Sequence, residues 1–200
     1  MSQPEHARAN QCALDRLTRE LAPVLVYHSL LHTRDEVVPA VERLAALEGV
    51  AGRELALLRT AAYYHDLGFI EQAVNHELIS IRMATEMLPA FGFTPAQVAH
   101  VGEMILATRL PQSPRDHLGA ILADADLDLL GRPDFMARNH DLRTELAAFG
   151  NTVADEHWYR AQFQFLAGHR YFTPAAQRLR DAQKARNLAL LAGLIAQPVP

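Results

Sequence analysis

The 200-residue chain is half apolar and 21% charged, which is ordinary for a soluble globular protein and long enough to bury one sizeable core. Its net charge of -4 provides no broad basic surface, which disfavours general nucleic-acid binding, and no apolar run approaches the roughly 18 residues of a membrane helix. Because the single Cys12 cannot form an internal disulfide and the N-terminal residues resemble no export signal, we expect a cytoplasmic protein.

Apolar residues recur at helical spacing along most of the chain, and no convincing pair of strands is evident in the sequence. We therefore predict an all-α fold, a single-domain helical bundle over residues 24–196 preceded by an N-terminal helix or extension over residues 1–23. Residues 24–33 have strand-like composition but no partner strand, so we interpret them as a connector. The predicted helices cover residues 11–22, 33–48, 54–67, 75–88, 95–108, 116–131, 134–149, 154–168 and 174–196.

Helix-capping residues support several of these boundaries. Residues 94–97 combine an N-cap threonine, a proline at the first helical position and a capping-box glutamine. Asp116 is expected to cap the next helix, and Thr33 with Glu36 has capping-box spacing. Pro39 conflicts with the helix around it, and we expect it to bend that helix or delay its start.

A histidine and an aspartate, His65 and Asp66, stand side by side at the end of a strongly apolar helical run. Leu58, Ala62 and Asp66 fall at steps of four and share one helix face, which His65 borders. An ionised carboxylate on a face otherwise directed to the core is costly unless a base, a cation or a metal neutralises it. This pair is therefore the first candidate functional site.

Two further stretches place metal-ligating side chains beside apolar helical segments. His28 and His32 lie four residues apart, and residues 124–128 contain three carboxylates. Buried carboxylates this close repel one another, and a divalent cation is the simplest compensation. A ligand set of imidazoles and carboxylates suits Mn, Fe, Co, Ni, Zn or Mg.

In their order along the chain, these motifs resemble those of the HD superfamily of metal-dependent phosphohydrolases, in particular its small bacterial branch of predicted HD phosphohydrolases. The resemblance covers about residues 24–190 and implies an all-α HD-domain fold. The segments that carry it are Tyr27 to His32, His65-Asp66, Asn75 to Glu77, Ile105 to Thr108 and Asp124 to Gly131.

The resemblance also implies roles for individual residues. His28 would be the general acid, and Asp66 or Asp124 would orient the attacking water. The roles of Asp124 and Asp126 could be exchanged. The divalent metal ion would be held by His32, His65, Asp66 and Asp126.

The implied function is hydrolysis of a small phosphorylated metabolite, either a phosphomonoester or a phosphodiester, by metal-activated water. A nucleotide is among the candidate substrates. Glu77 is expected to cap its helix or to support the site, Asp128 to be a solvated carboxylate, and Tyr171 to be a core residue or a neighbour of a substrate base. Positive side chains that could stabilise phosphoryl oxygens are Arg109, Arg143, Arg170 and Lys184.

Two alternative functions use the same residues. A dinuclear-iron oxygenase would need His76 and His100 as ligands of a second metal, although both positions are more typical of surface residues. A non-catalytic helical sensor or interaction module would keep the metal, or only its ligands, for structure. Metal content per chain separates the first alternative from a phosphohydrolase, and replacement of Asp66 with alanine separates the second.

Overall fold

The computed structural model describes residues 4–196, and within that range the chain consists of helices and loops without a β-strand. This confirms the predicted all-α fold. No helix in this range is both long enough and apolar enough to cross a membrane. The α-helices are α1 (His6–Glu20), α2 (Val38–Leu47), α3 (Gly52–Tyr64), α4 (His76–Met87), α5 (Pro95–Ala107), α6 (His117–Asp126), α7 (Phe135–Ala148), α8 (Asp155–Gly168) and α9 (Pro174–Ile195).

Helix α3 lies at the centre of the fold and packs against α1, α2, α4, α5 and α6. Leu58, Ala61 and Ala62 are fully buried because neighbouring helices cover α3 on several sides. The hydrophobic core is one cluster to which every helix from α1 to α9 contributes. The end of α3 is therefore surrounded by protein, and residues placed there are shielded from solvent.

The first helix begins earlier than the sequence indicated. It starts at His6, five residues before the predicted start at residue 11. Ala9, Ala13 and Leu17 recur every four residues and are buried where α1 packs on α3. The hydroxyl of Tyr64, the last residue of α3, donates to the carbonyl oxygen of Ala9 at 3.1 Å.

A π-helical turn, His32–Val37, precedes α2 and replaces the start of the predicted helix 33–48. The predicted capping box is wrong, because Thr33 lies buried inside this turn and the Glu36 carboxylate contacts His32 instead. Regular α-helical hydrogen bonding begins at Val38, just before Pro39, which has no backbone N–H to donate.

Helix α3 ends at Tyr64, three residues before the predicted end at Leu67. His65 and Asp66 follow in a turn that leads into a short 3₁₀ segment, Leu67–Ile70. Asp66 is therefore not part of a continuous helix face. The 3₁₀ segment packs on the start of α4, where Gly68 approaches the backbone of His76 too closely for a side chain.

The predicted caps of α5 and α6 are confirmed. Thr94 and Gln97 form a complete capping box at α5. Asp116 accepts a hydrogen bond from the backbone N–H of Gly119 at 2.7 Å, which caps α6. Since α6 packs on α2, α3 and α5, its last residue, Asp126, comes close to the turn after α3.

Asp128 is buried rather than solvated, so the sequence-based prediction for this residue is wrong. Its two carboxylate oxygens contact the Arg180 guanidinium of α9 at 2.6 and 2.7 Å, and Arg43 of α2 at 2.9 Å. These paired charges make burial of the carboxylate tolerable. They also join α9 to the 3₁₀ turn that follows α6.

Replacement of Gly68 with alanine is expected to destabilise the protein by about 1–3 kcal/mol, because the new Cβ would overlap the His76 backbone. The matched control is Gly193→Ala in α9, where a Cβ meets no atom within 4 Å and helix propensity improves. Urea unfolding measures both variants. Equal stability of Gly68→Ala and wild type would contradict the close approach.

Candidate metal centre and active site

Four side chains from distant parts of the chain meet beside one cavity: His32, His65, Asp66 and Asp126. The Nε2 atom of His32 lies 3.2 Å from Oδ1 of Asp126 and 3.7 Å from Oδ2 of Asp66. The Nε2 atom of His65 lies 3.4 and 3.3 Å from the same two oxygens. The structure therefore brings together all four residues that the sequence analysis proposed as metal ligands.

Hydrogen bonds on the opposite side of each imidazole determine which ring nitrogen carries the proton. Nδ1 of His32 lies 3.1 Å from the carboxylate of Glu36, and Nδ1 of His65 lies 2.7 Å from the carbonyl oxygen of Ala62. Both partners only accept, so each Nδ1 donates and each neutral ring keeps its lone pair on Nε2. Among residues 4–196, the buried atoms His65 Nε2 and Asp66 Oδ2 have no hydrogen-bond partner.

Two imidazole lone pairs and two carboxylates thus point into one small space, and this donor set fits a divalent cation. Burial disfavours protonation of His32, but its contacts with Asp126 and Glu36 and the charge of Asp66 raise its pKa to about 9. Burial also disfavours ionisation of Asp126, but the neighbouring imidazoles lower its pKa to about 2. The cluster therefore has a strong affinity for positive charge.

His28 lies next to this cluster and is held by Glu145 of α7. Its Nδ1 is 2.5 Å from Oε1 of Glu145, while the backbone N–H groups of Tyr27 and His28 donate to Oε2 at 2.8 and 3.0 Å. The imidazole stacks on Phe69, with ring centroids 4.1 Å apart. Because Glu145 holds Nδ1, Nε2 is the ring nitrogen left to face a ligand in the cavity that His28 lines.

His76 also lines the cavity, whereas the sequence suggested a surface position. Its Nε2 lies 3.3 Å from Oδ1 of Asp66, and the neighbouring Glu77 is buried against the same cavity. His100 lies elsewhere, on α5, where its Nε2 is 2.6 Å from Oδ2 of Asp116. The two histidines that a dinuclear-iron site would require are therefore not brought together.

Asp124 supports the fold and lies outside the ligand cluster. Its Oδ1 accepts from the backbone N–H of Phe172 at 2.8 Å, and its Oδ2 accepts from the N–H and hydroxyl of Thr173 at 2.8 and 2.7 Å. Both oxygens are thus occupied, which corrects the expectation that Asp124 orients a water molecule. Asp126 is the member of the pair that faces the histidines.

The cavity beside the cluster has a volume of about 680 Å³, which suits a small organic molecule better than a single ion. Its polar side includes His28, His76 and the predicted ligands His32, Asp66 and Asp126. The lining from residue 127 onward is mostly apolar. The apolar residues from the end of α6 onward are Leu127, Leu129, Leu130, Phe135, Leu142, Ala161 and Phe165.

Arg109 is the one of the four proposed phosphate-binding residues that lines this cavity. Its Nη2 donates to Oδ1 of Asn75 at 2.9 Å, which holds the guanidinium near the start of α4. Arg143, Arg170 and Lys184 do not line the cavity, and neither does Tyr171, which is buried in the core.

Three charged residues support the site although the sequence did not point to them as site residues: Glu36, Arg138 and Glu145. Arg138 donates from Nε and Nη2 to the two oxygens of Glu36, both at 3.0 Å, so the residue that orients His32 is itself held by α7. The four-residue spacing of His32 and Glu36 was a local signal for their contact. Arg138 and Glu145 are separated from their partners by 102 and 117 residues, and no local pattern relates them.

No family model and no curated protein matches this sequence. Three solved structures have similar folds. A predicted HD superfamily hydrolase from an uncultured Thermotogales bacterium has a TM-score of 0.63 at 19% identity, covering 96% of this chain and 92% of the other. A Lactobacillus plantarum protein has a TM-score of 0.71 at 19% identity, with coverages of 96% and 95%.

The third structure, Bacillus subtilis YpgQ in complex with ADP, has a TM-score of 0.62 at 20% identity and covers 93% of this chain and 95% of its own. At such low identities these similarities establish the fold. The chain is folded like the predicted HD superfamily hydrolase, and this likeness agrees, at the level of the fold, with the resemblance of its motifs.

Replacement of Glu145 with glutamine is expected to destabilise the protein by about 1–3 kcal/mol at pH 7, because a buried charge-assisted hydrogen bond is lost. Burial disfavours ionisation of Glu145, but its contacts with His28 and Tyr27 lower its pKa below the ordinary 4.5. Its stabilising effect is therefore present above pH 4.5 and is lost as the pH falls through the lowered pKa.

Chemical denaturation of the wild type and of Glu145→Gln between pH 3 and 7 measures the difference in their free energies of unfolding. The matched control is Glu103→Gln on the exposed face of α5. The difference between wild type and Glu145→Gln should shrink toward low pH. A difference that is independent of pH would contradict the assigned role of the carboxylate.

Proposed function

We propose that this chain is a metal-dependent phosphohydrolase that acts on a small phosphorylated metabolite, with a nucleotide as the first candidate. The observation that carries the proposal is the convergence of two imidazole lone pairs and two carboxylates beside a cavity of small-molecule size. The HD-superfamily fold supports the hydrolase class. The ADP complex of YpgQ, which has a similar fold, supports a nucleotide as ligand.

The proposed ligands of one divalent ion are His32, His65, Asp66 and Asp126. When bound, such an ion lowers the pKa of a water molecule and neutralises charge on phosphoryl oxygens. Glu36 and the Ala62 carbonyl orient the two imidazoles so that each presents Nε2. Asp66 has a further proposed role, because it lines the cavity and can orient the water that attacks phosphorus.

His28 is the proposed general acid. Glu145 holds the Nδ1 side of the ring, which leaves Nε2 to donate a proton to the departing oxygen. Arg109, on the same cavity, is the proposed contact for phosphoryl oxygens that carry developing charge. The organic part of the substrate then occupies the apolar side of the cavity.

Replacement of Asp66 or Asp126 with alanine is expected to remove most of the bound divalent metal and to lower turnover by at least about 100-fold, because a ligand carboxylate is lost. Elemental analysis measures the metal. Phosphate release measures turnover, with Mn, Co, Ni and Mg tested against nucleotides, cyclic nucleotides, pyrophosphates and sugar phosphates. The matched control is Asp181→Ala on the exposed face of α9.

The proposal fails if both variants retain the wild-type metal content. It also fails if the metal-loaded wild-type protein hydrolyses none of these compounds, a result that would favour a metal-containing binding module. Circular dichroism of each variant checks that the helical fold is retained.

Replacement of His28 with glutamine is expected to lower kcat by about 100-fold or more for an alkyl phosphate ester, because general acid catalysis is lost. The metal content should stay at the wild-type level. The loss should be much smaller for a nitrophenyl ester, whose leaving group departs without a proton. The control is His157→Gln on the surface of α8, and an equal loss for both esters would rule out the acid role.

A further inference from the structure

The apolar side of the cavity carries one organised polar feature. Of the cavity-lining residues between 127 and 165, all but two are apolar, and the two are Asn139 of α7 and Gln162 of α8. Asn139 is 3% exposed and the adjacent Trp158 6% exposed, so their polar atoms must be paired within the protein. How they are paired determines what Gln162 offers to a ligand.

The direction of each hydrogen bond in this group follows from the indole of Trp158, which can only donate. Its Nε1 lies 2.7 Å from Oδ1 of Asn139, so this atom of the amide must be the oxygen. Nδ2 of Asn139 then donates to Oε1 of Gln162 at 2.6 Å. Since Oε1 is used in this way, the NH₂ group of Gln162 is the end of the amide left for a ligand. If the side-chain amide of Gln162 were turned the other way, its NH₂ group would lie against the NH₂ group of Asn139, and neither could accept a hydrogen bond from the other.

We propose that Gln162 is a specificity residue whose NH₂ group binds a ring carbonyl oxygen of the substrate, so that the organic part is an oxo-substituted heterocycle. This inference rests on the proposed phosphohydrolase function for the phosphate end of the substrate. The phenyl rings of Phe135 and Phe165 and the leucines around them form an apolar surface that suits a flat heterocycle. A sugar phosphate would place its hydroxyl groups against this surface without partners.

The fixed direction of the amide predicts discrimination between bases of the same size. A 6-oxopurine or a 4-oxopyrimidine presents an acceptor to the NH₂ group of Gln162. The corresponding 6-amino or 4-amino base presents an amino group, which is a donor like the NH₂ group of Gln162. The two donors cannot bind each other, so each loses a hydrogen bond. We expect a preference of about 10-fold or more for the oxo member of each pair.

The test has two measurements on metal-loaded protein. Calorimetry gives Kd for the nucleoside pairs inosine and adenosine, and uridine and cytidine, which contain no phosphate and need no hydrolysis. Phosphate release gives kcat/KM for the corresponding 5′-monophosphates. Both should favour the oxo member of each pair.

Two variants change the group that residue 162 presents to the cavity. Gln162→Glu keeps an acceptor for Asn139 and presents an oxygen to the cavity, so it should reverse the preference, while Gln162→Leu should abolish it. Gln164→Glu, on the exposed face of α8, is the matched control and should behave as wild type. Circular dichroism verifies folding.

The outcomes separate this inference from the proposed function. Hydrolysis without an oxo preference, a preference unchanged in Gln162→Glu, or no binding of any nucleoside overturns the inference. An oxo preference in Kd that reverses in Gln162→Glu supports it, even if no monophosphate is hydrolysed. In that case the binding site for the organic group remains, and the wider panel of phosphorylated compounds decides the phosphohydrolase proposal separately.

Discussion

Two carboxylates, that of the buried Asp66 and that of the largely covered Asp126, share one small space, and such a pair is tolerable only beside positive charge. The surrounding structure meets this constraint with the imidazoles of His32 and His65, each of which presents Nε2 to the carboxylates. Protons on these rings or a divalent cation can supply the charge. The neutral rings are already arranged as ligands, so a cation can bind without repacking of the core.

The cluster lies where regular helix geometry is interrupted. The π-helical turn carries His32, the turn after α3 carries Asp66, and α4 starts after Asn75, whose backbone is left-handed with φ of 57°. Regular helices direct their side chains by a fixed rotation per residue, whereas such turns redirect single side chains. The central helices thus supply a rigid core, and the irregular turns at their ends aim the functional groups into one place.

Helix α7 supports both sides of the cavity. Arg138 holds the carboxylate that orients His32, and Glu145 holds His28, while Asn139 holds Gln162. Arg138 and Glu145 are separated by two helical turns and lie on one face of α7. A single helix therefore connects the proposed proton donor, the orientation of a proposed metal ligand and the proposed recognition of the organic group.

The sequence by itself determined the all-α fold and most helix boundaries, because periodicity and caps are local properties of the chain. The order of its motifs pointed to His32, His65 and Asp66 and to one aspartate of residues 124–126. Tertiary structure decided which aspartate of residues 124–126 faces the histidines. The Asp124 carboxylate instead accepts a hydrogen bond from the backbone of Phe172, 48 residues away. Tertiary structure likewise decided the burial of Asp128 by two arginines and the place of His76 in the cavity. These outcomes depend on contacts between distant segments, and such contacts leave no pattern in the neighbouring sequence.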